Sequence, residues 1–200
     1  MPRVALLFVS LLGGIGLFTA TASADDTSLC ADETAAPQSR INACSRLIAS
    51  NQLRGERLGE AHFSRARAWA KQDDTNRAIR DYTQAISIHA TIGAFLNRGI
   101  LWGRKGSYDQ AIEDFTTAIG MNPNFDMAYT YRGLAYESKG DQDKARADFQ
   151  ATLSLPQGFA GSEWAHQKAR ERLADLPGAP AAPPAAAPNN ETCERYPGLC

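Results

Sequence analysis

Residues 97–123 read NRGILWGRKGSYDQAIEDFTTAIGMNP, and residues 131–155 read YRGLAYESKGDQDKARADFQATLSL. Aligned, the two stretches share one pattern, and a third copy of it lies upstream. The copies start at Gly59, Ile92 and Asp126. The eighth position is small in each (Ala66, Gly99, Gly133) and the eleventh is a large aromatic (Trp69, Trp102, Tyr136). Alanine recurs at the twentieth (Ala78, Ala111, Ala145), an aromatic at the twenty-fourth (Tyr82, Phe115, Phe149) and a short residue at the twenty-seventh (Ala85, Ala118, Thr152). A period of about 34 residues predicts stacked helical hairpins rather than one closed core.

Each copy reads as a hairpin on physical grounds alone. Phe95, Gly99 and Trp102 fall at i, i+4 and i+7, one face of a helix. Gly106 is suited to the left-handed conformation that ends it, and Ser107 with Gln110 is expected to form a capping box that starts the next. Ala111, Phe115 and Ala118 then make a second apolar stripe. Small residues at positions eight and twenty let the helix axes approach, and the aromatics fill the space beside them. These aromatics recur with the hairpin, so core packing explains them better than a cofactor box.

Small at eight, aromatic at eleven, alanine at twenty and aromatic at twenty-four resemble the tetratricopeptide repeat over residues 59–155. The first copy departs most. It is one residue short, has His62 at its fourth position, and has Asp73 where the others have Gly106 and Gly140. Pro123 stands at the closing-proline position, where the first copy has Ala90 and the third shifts to Pro156. The resemblance implies an all-α fold, a right-handed superhelical α-solenoid of helical hairpins. It also implies an N-terminal half repeat and a C-terminal capping helix. The expected divisions are 1–24, 25–58, three repeats at 59–91, 92–125 and 126–159, a capping helix at 160–176, and a tail at 177–200.

The stretch from Met1 to Ala24 holds Arg3, an uncharged run from Val4 to Phe18 and Ala22-Ser23-Ala24 before two aspartates. This reads as a signal peptide cleaved after Ala24, which predicts a soluble periplasmic or secreted product. An uncleaved anchor is the weaker reading, since the run is short and contains Gly13, Gly14 and Gly16. All four cysteines follow the cleavage site, in a compartment where disulfides persist. Four cysteines permit three pairings; the local pairs Cys30–Cys44 and Cys193–Cys200 are favoured because a proline-rich stretch separates the groups. With 21 basic and 22 acidic residues the chain is near balance, which argues against nucleic acid as the main partner.

Toward the N-terminal end, residues 25–36 are polar and expected to be irregular. Pro37 is placed to open a helix whose face holds Ile41, Cys44, Leu47 and Ile48. Asn51 to Leu58 reads as a connection. Beyond the third copy, Ser162 is expected to cap a helix with Ala165, Ala169 and Leu173 inward, Lys168, Arg170, Glu171 and Arg172 wet, and Trp164 covering the last hairpin. Pro177 to Pro188 holds five prolines and six alanines, a semi-extended spacer of about 35 Å. The tail NNETCERYPGLC follows; its Asn190-Glu191-Thr192 acceptor pattern reads as a chance match.

An enzyme reading lacks parts. His62, His89 and His166 have no motif around them, and no phosphate loop, metal-ligand cluster or nucleophile signature is present. No cofactor or metal is expected. Arg65, Arg98 and Arg132 all occupy position seven while Asp81, Asp114 and Asp148 occupy position twenty-three. Inter-helix ion pairs explain both sets better than an anion-binding stripe.

The resemblance implies instead a groove lined by the first helices, here Phe63, Arg67 and Lys71, then Leu96, Asn97, Ile100 and Arg104, then Met127, Thr130, Tyr131 and Leu134. Its centre is apolar and its edge basic. The lysines of the family's carboxylate clamps are missing, with Phe63 and Met127 in their places. The expected function is therefore an exported scaffold that binds a peptide or helix of an envelope or secreted protein. The alternative is a non-catalytic regulatory subunit or adaptor of an envelope hydrolase. No membrane insertion is expected after cleavage.

Overall fold

The computed structural model describes residues 24–177. Residues 1–23, on which the expected signal peptide falls, and residues 178–200, with the expected pair Cys193 and Cys200, lie outside these residues. The described chain is helical throughout: α1 (Ala24–Ala31), α2 (Pro37–Ala49), α3 (Gly55–Lys71), α4 (Thr75–Ile88), α5 (Ile92–Arg104), α6 (Tyr108–Met121), α7 (Asp126–Ser138), α8 (Gln142–Ser154) and α9 (Ser162–Asp175). The three repeats are the hairpins α3–α4, α5–α6 and α7–α8, and each helix packs on the next in the chain. This is an all-α helical repeat solenoid. No described helix is long and apolar enough to cross a membrane.

One turn recurs at each hairpin tip. Gly106 has φ +76° and Gly140 has φ +82°, and both donate into the last turn of the helix they end. Ser107 N–H and Asp141 N–H then reach back to the carbonyls of Trp102 and Tyr136, each at 2.9 Å, which closes a Schellman motif. Asp74 N–H does the same to Trp69 at 3.0 Å, with Asp73 forced to φ +58° in the glycine's role. The following helices α4 and α8 are capped by Asp74 and Asp141. Ser107 makes no such bond, so the expected capping box does not form. The hairpin turn already orients the chain there through the backbone.

Between the helices of a hairpin sit the twenty-fourth-position aromatics. Tyr82, Phe115 and Phe149 are buried against alanines 78, 111 and 145, each ring contributing about 1.5–3 kcal/mol of burial. Position eight faces them closely. A Cβ on Gly99 would lie 2.6 Å from Phe115 Cε1, and one on Gly133 would lie 2.7 Å from Phe149 Cε1.

The position-seven arginines are structural, as the pairing argument expects, and they do more than pair. Arg65, Arg98 and Arg132 grip Asp81, Asp114 and Asp148 through two bonds each, between 2.6 and 2.9 Å. Each also donates its remaining Nη1 to a hydroxyl on the preceding hairpin: Ser45, Thr83 and Thr116, at 3.0 to 3.1 Å. The planar guanidinium has donors for both partners, so one side chain sets hairpin geometry and inter-repeat register together.

The ends differ from the expectations. Residues 25–31 are helical, not irregular. Their sequence is a poor helix former, and tertiary contacts override it. Cys30 is joined to Cys44, Leu29 packs on the same cluster, and Arg46 Nε donates to Asp26 at 3.0 and 3.1 Å. A cross-link over a separation of 14 residues stabilises by about 3 kcal/mol in the chain-entropy account. Helix α3 starts at Gly55, so the connection expected to run to Leu58 ends early.

At the other end α9 starts at Ser162, with Gly161 at φ +92° as its N-cap residue. Ser162 is therefore inside the helix, and its hydroxyl accepts from Phe159 N–H at 3.1 Å instead of capping. Glu163, Gln167 and Arg170 stand one repeat period after Tyr129, Gly133 and Tyr136, and are exposed. A first helix with a polar face where its partner would pack ends the stack. Arg172, expected wet, donates to Glu137 on α7 at 2.9 Å.

Candidate peptide-binding groove

The first helices α3, α5, α7 and α9 carry the residues expected to line a groove. Two of those residues are not available. Leu96 is 7% exposed and belongs to the core between α5, α6 and α7. Thr130 is fully buried, with its hydroxyl 3.0 Å from that of Thr152 and 3.4 Å from the Ala165 carbonyl. Helix α9 and the second helix α8 enclose it, which the position rule carried over from the family did not anticipate. Both are corrections to the expected lining.

Two more are engaged by the chain itself. The α1–α2 connection lays Glu33 on the basic edge: Arg67 Nη2 donates to its Oε2 at 2.8 Å, Arg67 Nη1 meets its Oε1, and Lys71 Nζ donates to its carbonyl at 2.9 Å. Phe63 lies over Gly93 and edge-on to Tyr82, with ring centroids 5.6 Å apart. Met127 packs against the backbone of Gly161, where a Cβ would meet its sulfur at 2.7 Å. Asn97 is partly buried on α5.

The remaining four residues come together. Ile100 and Arg104 on α5, with Tyr131 and Leu134 on α7, line a cleft of about 340 Å³. Its floor is made possible by Gly99 and Gly103, and by Phe115 and Tyr108 behind them. Gly103 has no heavy atom within 4 Å of where a Cβ would stand, so its lack of a side chain leaves open space. Tyr131 stacks on the buried Phe115 at 5.8 Å and meets Trp164 of α9 at a tilt, with centroids 5.0 Å apart, so its ring is held from both sides where it faces the cleft. Trp164 is 39% exposed. It covers α7, as expected of it, yet also presents a face to solvent.

Electrostatics mark the mouth of the cleft. Burial pushes the Tyr131 hydroxyl pKa up, and the Arg104 charge opposes it. Arg104 is exposed and makes no ion pair among the described residues. The cleft lining holds no carboxylate, imidazole or thiol. His62 and His166 face carboxylates elsewhere: His62 Nδ1 is 3.0 Å from Asp81, and the buried His166 Nε2 is 3.4 Å from Asp126. No cluster of metal-ligating residues occurs among the described residues.

A larger cleft of about 620 Å³ opens among Cys30, Leu47, Leu53, Arg57 and Phe63. It lies beside α1, which has 8 residues where α5 and α7 have 13. It is the gap a short first helix leaves. The α5–α7 cleft is instead built between two full-length helices, and sequence reasoning missed its Tyr108 and Phe115.

The family profile of the tetratricopeptide repeat matches residues 96–160. No curated protein matches the chain in sequence. Among solved structures, that of MamA is 25% identical with a TM-score of 0.54, over 68% of this chain and 70% of that one. The tetratricopeptide domain of Arabidopsis OM64 is 28% identical with a TM-score of 0.50, over 57% of this chain and 95% of that one. The first such domain of Spaghetti (RPAP3), solved with the HSP90 peptide SRMEEVD, is 20% identical with a TM-score of 0.52, over 60% and 97%.

Proposed function

The chain is a tetratricopeptide-repeat protein, and on that premise we propose that it is an exported scaffold that docks a peptide of a partner protein in the α5–α7 cleft. One observation carries the reading: an open, aromatic-walled cleft floored by glycines, with an arginine at its mouth that has no ion-pair partner among the described residues. At about 340 Å³ it falls at the small end of the roughly 300–1,000 Å³ range of ligand sites. That suits one or two large side chains of a peptide rather than a whole folded surface. Side chains seated in such a pocket concentrate interface energy, and Arg104 adds steering toward an acidic neighbour. The scaffold works without chemistry of its own. Export is supported by the leader-like N-terminus and by the Cys30–Cys44 disulfide.

The test is to fill the cleft without touching the core. Gly103→Trp places a ring in open space, and Gly120→Trp does the same on α6, where a Cβ also meets nothing within 4 Å. Envelope extract is passed over wild type and both variants after their melts are matched. Ligands are expected on wild type and Gly120→Trp and lost on Gly103→Trp. The same proteins on all three would refute the cleft as the site.

A further inference from the structure

We propose that the α5–α7 cleft has an occupant within this chain: the tail beyond α9, with Tyr196 seated between Ile100, Tyr131 and Leu134 and Glu194 paired with Arg104. This rests on the cleft being a peptide site, and it names the peptide that competes for it. The tail residues 178–200 lie outside the described structure, and they include a single aromatic, Tyr196. Glu194 stands two positions before it, inside the short loop that the favoured Cys193–Cys200 pair would close, so the carboxylate and the ring are offered together. The cleft offers the complement, an aromatic wall and an exposed cation with no ion-pair partner among the described residues.

Geometry permits the return. Arg172 near the end of α9 is tied to Glu137 near the end of α7, and the cleft rim at Ser138 and Arg104 belongs to the same ends of α7 and α5. The chain thus leaves α9 on the side where the charged rim lies. The Pro177 carbonyl accepts from Arg146 on α8, so the tail has to pass the end of α7 to reach the cleft, a path of a few helix spacings of about 10 Å each. The stretch from Pro177 to Tyr196 reaches about 60 Å at a polyproline rise. The spacer is ample, and its prolines restrict the unbound chain, which lowers the ordering cost of docking. Tethering supplies an effective concentration on the order of millimolar, so even a weak segment excludes weak external ligands. Partners must then outcompete Tyr196, which makes the tail an autoinhibitory plug.

Zero-length carbodiimide coupling in the full mature chain carrying Arg104→Lys tests it, since this variant gives Glu194 an amine to join. A 104–194 linked peptide is expected in the monomer fraction, independent of dilution. Its yield should fall about tenfold when Tyr196→Ala is added, the loss typical of truncating a seated aromatic. It should disappear when Gly103→Trp fills the cleft. Coupling of Glu194 spread over Lys71, Lys105, Lys139 and Lys168 and unmoved by Gly103→Trp would overturn the proposal, as would linkage only in a dimer fraction. The two readings fail separately. Ligand capture lost in Gly103→Trp with no 104–194 link removes the plug and keeps the peptide site. The link present with capture unchanged keeps the plug and removes the external site.

Discussion

Gly133→Leu should break the third hairpin. The added Cβ would stand 2.7 Å from Phe149 Cε1, with Cδ1 and Cζ at 3.0 and 3.1 Å, and three further carbons would follow it. Ordinary contact between carbons needs about 3.5 Å or more, so the ring must withdraw by most of an ångström. Phe149 is fully buried among Ala145, Ala169 and Leu176, and has nowhere to go unless α8 moves. Overpacking of this kind costs about 1–3 kcal/mol, and two branches aimed at a ring place it near the top. Removing a helical glycine returns about 0.8 kcal/mol. The net loss is about 2 kcal/mol, or about 4–8 °C in Tm for a chain of this size. Gly103→Leu is the control, with the same helix gain and no heavy atom within 4 Å of its Cβ. Thermal melts by circular dichroism should place Gly103→Leu at or above wild type and Gly133→Leu below it. Equal midpoints for the two leucine variants would refute the close-approach account of position eight.

Asp73→Gly should stabilise by about 0.5–1 kcal/mol, because an aspartate held at φ +58° does a glycine's work; urea denaturation reads it, and a loss would mean the Asp73 side chain matters. His62→Phe should reverse the titration of Asp81. Burial raises the Asp81 carboxyl pKa, but bonds from Arg65 and His62 outweigh it and hold the group below 3.8. At Asp114 burial wins over Arg98 alone and the pKa is raised. Wild-type Asp81 thus stabilises above its ordinary pKa and loses this as pH falls through its depressed folded value. In the variant the raised folded value means stability is gained as pH falls from it toward about 3.8; carboxyl NMR titration that leaves Asp81 depressed would refute the role of His62. Glu33→Ala should cost under about 1 kcal/mol, since its carboxylate is exposed. A larger loss in denaturant would show the α1–α2 connection to be locked by that pair.

What the sequence revealed follows from periodicity. Position eight, the aromatic at twenty-four and the Arg–Asp pairs repeat, so one physical argument serves three places at once. The hydroxyls at Ser45, Thr83 and Thr116 repeat as well, and reading the arginines as pairs alone overlooked them. Helix α1 carries no repeat signal, and contacts distant in sequence hold it: the disulfide, the Asp26–Arg46 bonds and the packing of Leu29. Leu96 and Thr130 were misjudged because a family position says which helix face a residue is on, not how far a neighbouring helix covers it. Trp164 was within reach. It stands one repeat period after Thr130, and extending the pattern by one more helix places it beside the cleft.

The glycines show how one residue type serves two purposes on the same helix. Gly99 is closed over by Phe115 and cannot accept a side chain; Gly103, one turn further on, is open and has no packing reason to be small. The first is dictated by the fold. The second costs helix stability of about 0.8 kcal/mol relative to alanine with no return in packing. A cost that the core does not require is best explained by what the missing side chain leaves free. The chain itself covers other parts of the expected groove: Glu33 covers Arg67 and Lys71, the α8–α9 connection covers Met127, and α9 covers Thr130. Arg104, Ile100, Tyr131 and Leu134 are left around Gly103, where the missing side chain keeps the cleft between α5 and α7 hollow.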